Sequence, residues 1–190
     1  MNGAGPIRRG SQRAVRALRR LLQREDGLSP IEFAMVAPLM FGIFLAAVES
    51  GMTLTRKVML ERAVDLATRE VRLGMLENPS HDALKERICA YTALLPDCET
   101  NLALDLTPID ISTWAALETP MRCVDRSQNV TPLNAFSPAG SAQPTLVRAC
   151  LVVDLIFSFS GIGMRLPTDG QGGFALTAVS FYINEPMVGS

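Results

Sequence analysis

The sequence predicts an α+β fold in which one long N-terminal helix, apolar in its first half and amphipathic in its second, joins a shorter helix packed on a small antiparallel sheet. Three observations lead there. Phe33 to Val48 is a run of sixteen uncharged residues, FAMVAPLMFGIFLAAV. Leu60, Ala63, Val64, Ala67 and Val71 then recur at helical spacing, and the β-branched, apolar stretches Thr145 to Asp154 and Phe174 to Ile183 read as strands.

Charge divides the chain sharply. Its 190 residues leave room for one moderate domain plus an anchoring segment, and a composition of 48% apolar and 19% charged residues indicates neither disorder nor many membrane spans. Residues 1–24 hold seven arginines and no acid. Of the 18 basic and 19 acidic residues, seven and two precede Leu28, which leaves 11 against 17 and a net charge of −6 for the body. A body of that sign argues against nucleic-acid binding.

As a helix the uncharged run covers about 24 Å at 1.5 Å per residue, slightly short of a hydrocarbon core of roughly 30 Å. Adding Pro30 and Ile31 before it and Gly51 to Leu54 after it reaches spanning length, with Glu32 and Glu49 as its two awkward members. Arginines upstream and mixed charge downstream predict a cytoplasmic N-terminus, placing the body in the periplasm or outside the cell. Two readings compete. A cleaved secretory signal shares the basic and apolar regions but would carry Glu32 at the front of its apolar stretch. A buried core helix of a cytoplasmic protein fits poorly with an arginine-only flank and leaves a run of this length no solvent face.

A carboxylate at the edge of a span is costly unless it meets a cation or a donor, so Glu32 is a candidate functional residue; otherwise it lies in the headgroup zone. Pro38 removes the bond its N–H would give to the Ala34 carbonyl and predicts a helix kink, although membrane helices also tolerate proline without a special role. The amphipathic continuation carries Arg56, Lys57, Glu61, Arg62, Asp65, Arg69 and Arg72 on its other faces, and Gly74 is a natural stop. Asn78-Pro79-Ser80 opens a second helix near His81, with Leu84, Ile88, Tyr91 and Leu95 on one face and Pro96 ending it. Leu102, Leu104 and Leu106 alternate as a short strand, Thr107 to Ala142 reads as loop, and the glycine-rich stretch Ser160 to Gly173 joins the two best strands as an antiparallel pair.

The four cysteines, Cys89, Cys98, Cys123 and Cys150, admit three connectivities. Proximity favours Cys89 with Cys98, leaving Cys123 with Cys150. An exported location makes disulfides the expected state, stapling a loop-rich region that a small core holds poorly. No Cys-x-x-Cys occurs and His81 is the single histidine, so neither a metal site nor a cofactor is expected. His81 reads as a solvated residue at a helix start, SFSGIG at 158–163 is no Gly-x-Ser-x-Gly elbow, the later glycines follow no phosphate-loop pattern, and Trp114 and Phe136 read equally as core plugs or contacts. No enzyme is expected.

The stretch Arg24-Glu25-Asp26-Gly27-Leu28-Ser29-Pro30-Ile31-Glu32-Phe33-Ala34-Met35-Val36-Ala37-Pro38 closely resembles the N-terminal signature of TadE-like pseudopilins, components of tight-adherence (Flp-type) pilus systems. Over residues 24–51 the likeness is strong. Pro30 departs from it by standing where a small residue is usual, and Glu49-Ser50-Gly51 by lacking the aromatic of Glu-Phe-Gly. Arg148-Ala149-Cys150-Leu151-Val152-Val153-Asp154 and the closing Asn184-Glu185-Pro186 add a weaker likeness to the end of such proteins.

The resemblance implies a pilin-like fold and a prepilin peptidase that cuts between Gly27 and Leu28, making Glu32 the fifth and Phe33 the sixth mature residue. It divides the chain into a removed basic cytoplasmic leader (1–27), a transmembrane and amphipathic helix (28–74) and a periplasmic α+β domain (75–190). The partners it implies are the peptidase, other pilin-like subunits with the pilus assembly machinery, and inner-membrane lipid, with no nucleic acid. The function it implies is assembly of an adhesive tight-adherence pilus by a minor pseudopilin. The alternative is an uncleaved, membrane-anchored periplasmic binding or sensory module.

Overall fold

The apolar run and the amphipathic stripe after it form one uninterrupted helix, α1 (Leu28–Arg72, 45 residues), more than twice the roughly 20 residues a span requires. Pro38 lies inside it. Within the helix Ser50 Oγ donates to the Ala46 carbonyl (2.7 Å) and Thr55 Oγ1 to that of Gly51 (2.8 Å), so these hydroxyls are satisfied without leaving it. Its end is set by Gly74 at φ +67°. The Met75 N–H reaches the Glu70 carbonyl (3.0 Å) and the Gly74 N–H that of Val71 (3.1 Å), the paired bonds of a Schellman stop. This computed structural model describes residues 28–76, 79–92, 95–113, 118–128, 132, 134–137, 143–157, 169 and 171–183.

The chain divides into two compact units, residues 1–44 and 45–190. In the first, the described part of α1 buries almost nothing: Ile31, Phe33, Met35, Leu39, Phe41 and Phe44 are each more than 60% exposed. A contiguous apolar surface of this kind is foreign to a monomer in water. The helix is long and apolar enough to cross a membrane, and none of its most hydropathic 18-residue window is buried, whereas the core helix of a soluble protein would be.

The second unit begins at Leu45 and is organised by the remainder of α1. Leu60, Ala63, Val64, Ala67 and Val71 form its buried stripe, packed in one core with Leu84 and Ile88 of α2 (His81–Ala90) and with the inner face of a three-stranded sheet. The sheet order is β1-β2-β3, antiparallel throughout, with β1 at Leu102–Pro108, β2 at Pro144–Asp154 and β3 at Gly173–Ile183. On β2, Val147, Ala149, Leu151 and Val153 face this core. Val152 points to the other side, where it meets Ala103, Val124, Met121 and Cys123 in a second, smaller cluster. Covered on both faces, β2 reads as a continuous apolar run rather than an alternating one. The fold is α+β: a long helix and a shorter one with an antiparallel sheet.

Three details differ from the expectations. The second helix stops at Ala90, well before Pro96, because Thr92 turns back on it, its N–H and its hydroxyl both reaching the Cys89 carbonyl (3.1 and 2.9 Å). Leu95 still enters the core, but from the loop. Leu102 to Leu106 are all buried, so β1 has no solvent face, and a one-turn helix, α3 (Cys98–Asn101), precedes it. The loop expected over Thr107 to Ala142 contributes a parallel bridge: the Leu106 N–H bonds the Ala135 carbonyl (2.8 Å) and the Ser137 N–H bonds that of Leu106 (2.8 Å), covering the outer edge of β1 beside Phe136.

Candidate functional site

Of the residues singled out at the start of the chain, Gly27 lies outside the described residues and Leu28 opens α1. Glu32 follows one turn after Leu28 and is exposed, with no hydrogen-bond or ion-pair partner among the described residues. Phe33, beside it, is 71% exposed. Pro38 is exposed too, and leaves the Ala34 carbonyl without its helical donor. The first unit therefore presents a carboxylate at the head of an unburied apolar helix. Chemically, such a surface offers packing to other apolar helices or lipid and one anionic group to a cation.

Glu49, the second acid of the apolar stretch, behaves differently. It is fully buried, and its carboxylate accepts the backbone N–H groups of Ile156 (3.2 Å) and Phe157 (2.8 Å). Burial of a charge is costly unless hydrogen bonds replace water, and these two donors do so. Two turns on, Arg56 donates to the Asp154 carbonyl (2.9 Å). The sequence offers a partial signal for Glu49, an acid amid apolar residues, and none for its partners.

Further ion pairs fasten the second unit. Arg126 bonds Asp169 (2.6 Å) and Asp154 (2.7 Å), and the Gly173 N–H adds a 2.6 Å bond to Asp169. Hydrogen bonding from Arg126 first, then from the Gly173 and Gln171 N–H groups, holds the Asp169 carboxyl below the ordinary range against the opposing effect of burial. Gly173 is required there, since a Cβ would stand 2.8 Å from a Val152 methyl and run into the Arg126 guanidinium. At the other end of α1, Glu70 accepts from the Tyr91 hydroxyl and from Arg87 (2.6 Å); the two bonds lower its pKa, and the first of them raises that of Tyr91.

All four cysteines are paired, Cys89 with Cys98 (Cα–Cα 5.6 Å) and Cys123 with Cys150 (5.4 Å). The first bridge links α2 to α3, and the second ties the segment before Arg126 to the central strand. Among the described residues no group of three His, Cys, Asp or Glu side chains is placed to hold a metal. His81 opens α2 with its side chain 31% exposed, and it also makes contacts: its ring stands edge-to-face on Phe136 at 5.5 Å, with Nδ1 3.3 Å from Asp82, and Phe136 packs against the main core. Trp114, SFSGIG, most of the Ser160 to Gly173 stretch and Asn184 to Pro186 lie outside the described residues.

These features define a class: a protein with, among the described residues, one candidate membrane-spanning helix in its N-terminal part and an α+β, disulfide-bonded unit after it. Residues 27–69, from the glycine before α1 through most of that helix, match the model of a family described as TadE-like protein. The match is confined to that segment, so the likeness to TadE-like proteins is one of this helix and the glycine before it. No curated protein and no solved structure matches the chain.

Proposed function

We propose that this chain is a minor pseudopilin of a tight-adherence pilus system, cut by a prepilin peptidase between Gly27 and Leu28 and acting through its N-terminal helix. The observation that carries this reading is the unburied apolar face of α1, headed by an exposed Glu32 and covered by the TadE-like match. Residues 1–27 form the basic cytoplasmic leader, 28–74 the transmembrane and amphipathic helix, and 75–190 the periplasmic domain. Seven leader arginines favour a cytoplasmic N-terminus at the inner membrane. Two disulfides suit the oxidising side.

The cut creates an α-amino group at Leu28, and Glu32 stands one helical turn away. On a neighbouring pilin-like subunit the same new amine supplies the cation that a carboxylate at a membrane boundary needs. Phe33 and the apolar residues after it pack against such neighbours and against lipid, while Pro38 adjusts the angle at which the helix does so. The chain itself catalyses nothing in this scheme; the chemistry is done on it by the peptidase.

Mass and N-terminal sequence of the protein extracted from membranes test the proposal directly. Loss of the 27-residue leader with Leu28 at the new terminus is expected, and a retained leader would favour an anchored periplasmic binding or sensory module instead. A bulky substitution at Gly27 should leave a precursor that still inserts, because insertion depends on the span and its arginines. A Leu28 terminus from that variant would rule out a prepilin-type cut.

A further inference from the structure

We propose that the segment following β2, Leu155 to Phe157, rests on the lipid surface beside α1, and that Glu49 holds it there. The inference builds on the reading of α1 as a membrane span and adds a second membrane contact, made by the α+β unit.

Geometry supplies the first argument. Asp154 meets α1 at Arg56 and Phe157 meets it at Glu49. Seven residues of helix cover about 10 Å, and three residues of extended chain cover about the same. The segment therefore runs alongside α1 toward the helix's N-terminal end, reaching the residue next to Val48, where the uncharged run stops. Backbone chemistry supplies the second. N–H groups that approach hydrocarbon need an internal acceptor, since lipid tails offer none. A fully buried Glu49 accepts both the Ile156 and the Phe157 N–H at that level.

The side chains agree. Leu155 packs against the main core, whereas Ile156 is 47% exposed, and on α1 Val48 and Met52 at the same level are 37% and 42% exposed. Lipid is thus the occupant, continuous with the bilayer that α1 enters.

The test uses the full chain in vesicles of phosphatidylethanolamine and phosphatidylglycerol containing lipids brominated either near the headgroup or deep in the tails. A thiol introduced by Ile156→Cys, Phe41→Cys or Ile111→Cys is the single free one, because the four natural cysteines are paired, and it carries a fluorophore. Ile111 is exposed and lies just beyond the Pro108–Thr145 pair, at the end of the β1–β2 ladder away from Asp154. Shallow bromines should quench the probe at Ile156, deep bromines the probe at Phe41, and neither the probe at Ile111. Adding Glu49→Ala should keep the Phe41 signal and weaken quenching at Ile156, with Glu49→Gln, which retains one acceptor oxygen, falling between.

Quenching at Phe41 without quenching at Ile156, or equal quenching at Ile156 and Ile111, would overturn the proposal while leaving the span intact. Absence of quenching at Phe41 would instead bring down the span reading and the proposal with it. An unchanged Ile156 signal in Glu49→Ala would remove Glu49 from its holding role.

Discussion

Asp105 and Arg148 face each other across the β1–β2 ladder and form an ion pair on the outer face of the sheet, with Arg148 Nε 2.7 Å from the carboxylate. Asp105 is 3% exposed. The pair is fully engaged: Thr107 donates to the other carboxylate oxygen (3.0 Å), and Arg148 also reaches the Thr119 carbonyl (2.5 Å).

Removing one partner of such a pair leaves the other charge buried and uncompensated. Asp105→Ala should therefore cost about 3–5 kcal/mol. Replacing both residues together, Asp105→Leu with Arg148→Met, should cost far less, because neither charge is then left unpaired. Urea unfolding of the detergent-solubilised full chain measures both, and a double variant as unstable as the single one would show that the pair itself carries the stability.

Acid should loosen the region around Asp169. Its folded pKa lies below the ordinary 3.8, chiefly through Arg126, so its contribution is complete above the unfolded value and is lost as pH falls through the folded one. Glu70, lowered from 4.5 by Tyr91 and then Arg87, adds loss of the same sign. Melting temperature should thus drop steeply below about pH 4, and Asp169→Asn should flatten that drop while lowering stability at neutral pH. An unchanged slope in the variant would remove Asp169 from the account.

Reduction should weaken the second unit unevenly. The chain-entropy argument assigns each bridge about 2–4 kcal/mol and favours the longer closed loop. With separations of 27 and 9 residues, replacing Cys123 and Cys150 together should cost more than replacing Cys89 and Cys98, by about 1 kcal/mol on loop length alone. Cys150 is also fully buried on the central strand. The reverse order in thermal melts would show that native packing around Cys89 and Cys98 outweighs loop closure.

The sequence carried the fold where the signals are local. Gly74 ends α1 because only a residue at ease with positive φ closes that turn, and the expected Thr145 to Asp154 strand lies within one residue of β2 because β-branched and other apolar side chains dominate it. Periodicity failed for α2, where Leu95 keeps the helical spacing but reaches the core after the chain has already turned at Thr92. The partners of Glu49 lie 107 and 108 residues away, and Asp105 and Arg148 are separated by 43. No local pattern announces contacts of that range; they follow from β2 lying at the centre of the sheet and its end lying beside α1.

Glu32 should matter for assembly with other subunits and much less for insertion or folding. It sits in the first unit, whereas both disulfides and the buried cores belong to the second. Glu32→Gln keeps the side chain's size and removes its charge. If the carboxylate meets a neighbour's α-amino group in desolvated surroundings, its loss leaves that cation without a partner, a penalty of about 3–5 kcal/mol; where water reaches the pair the effect falls to about 1 kcal/mol or less. Membrane level and leader removal should then stay near normal while crosslinks from the apolar face of α1 to pilin-like subunits decline, and piliation with them. Unchanged crosslinks and piliation in the Gln variant would make Glu32 a headgroup-zone residue and shift the burden of subunit recognition to Phe33 and the apolar residues that follow it.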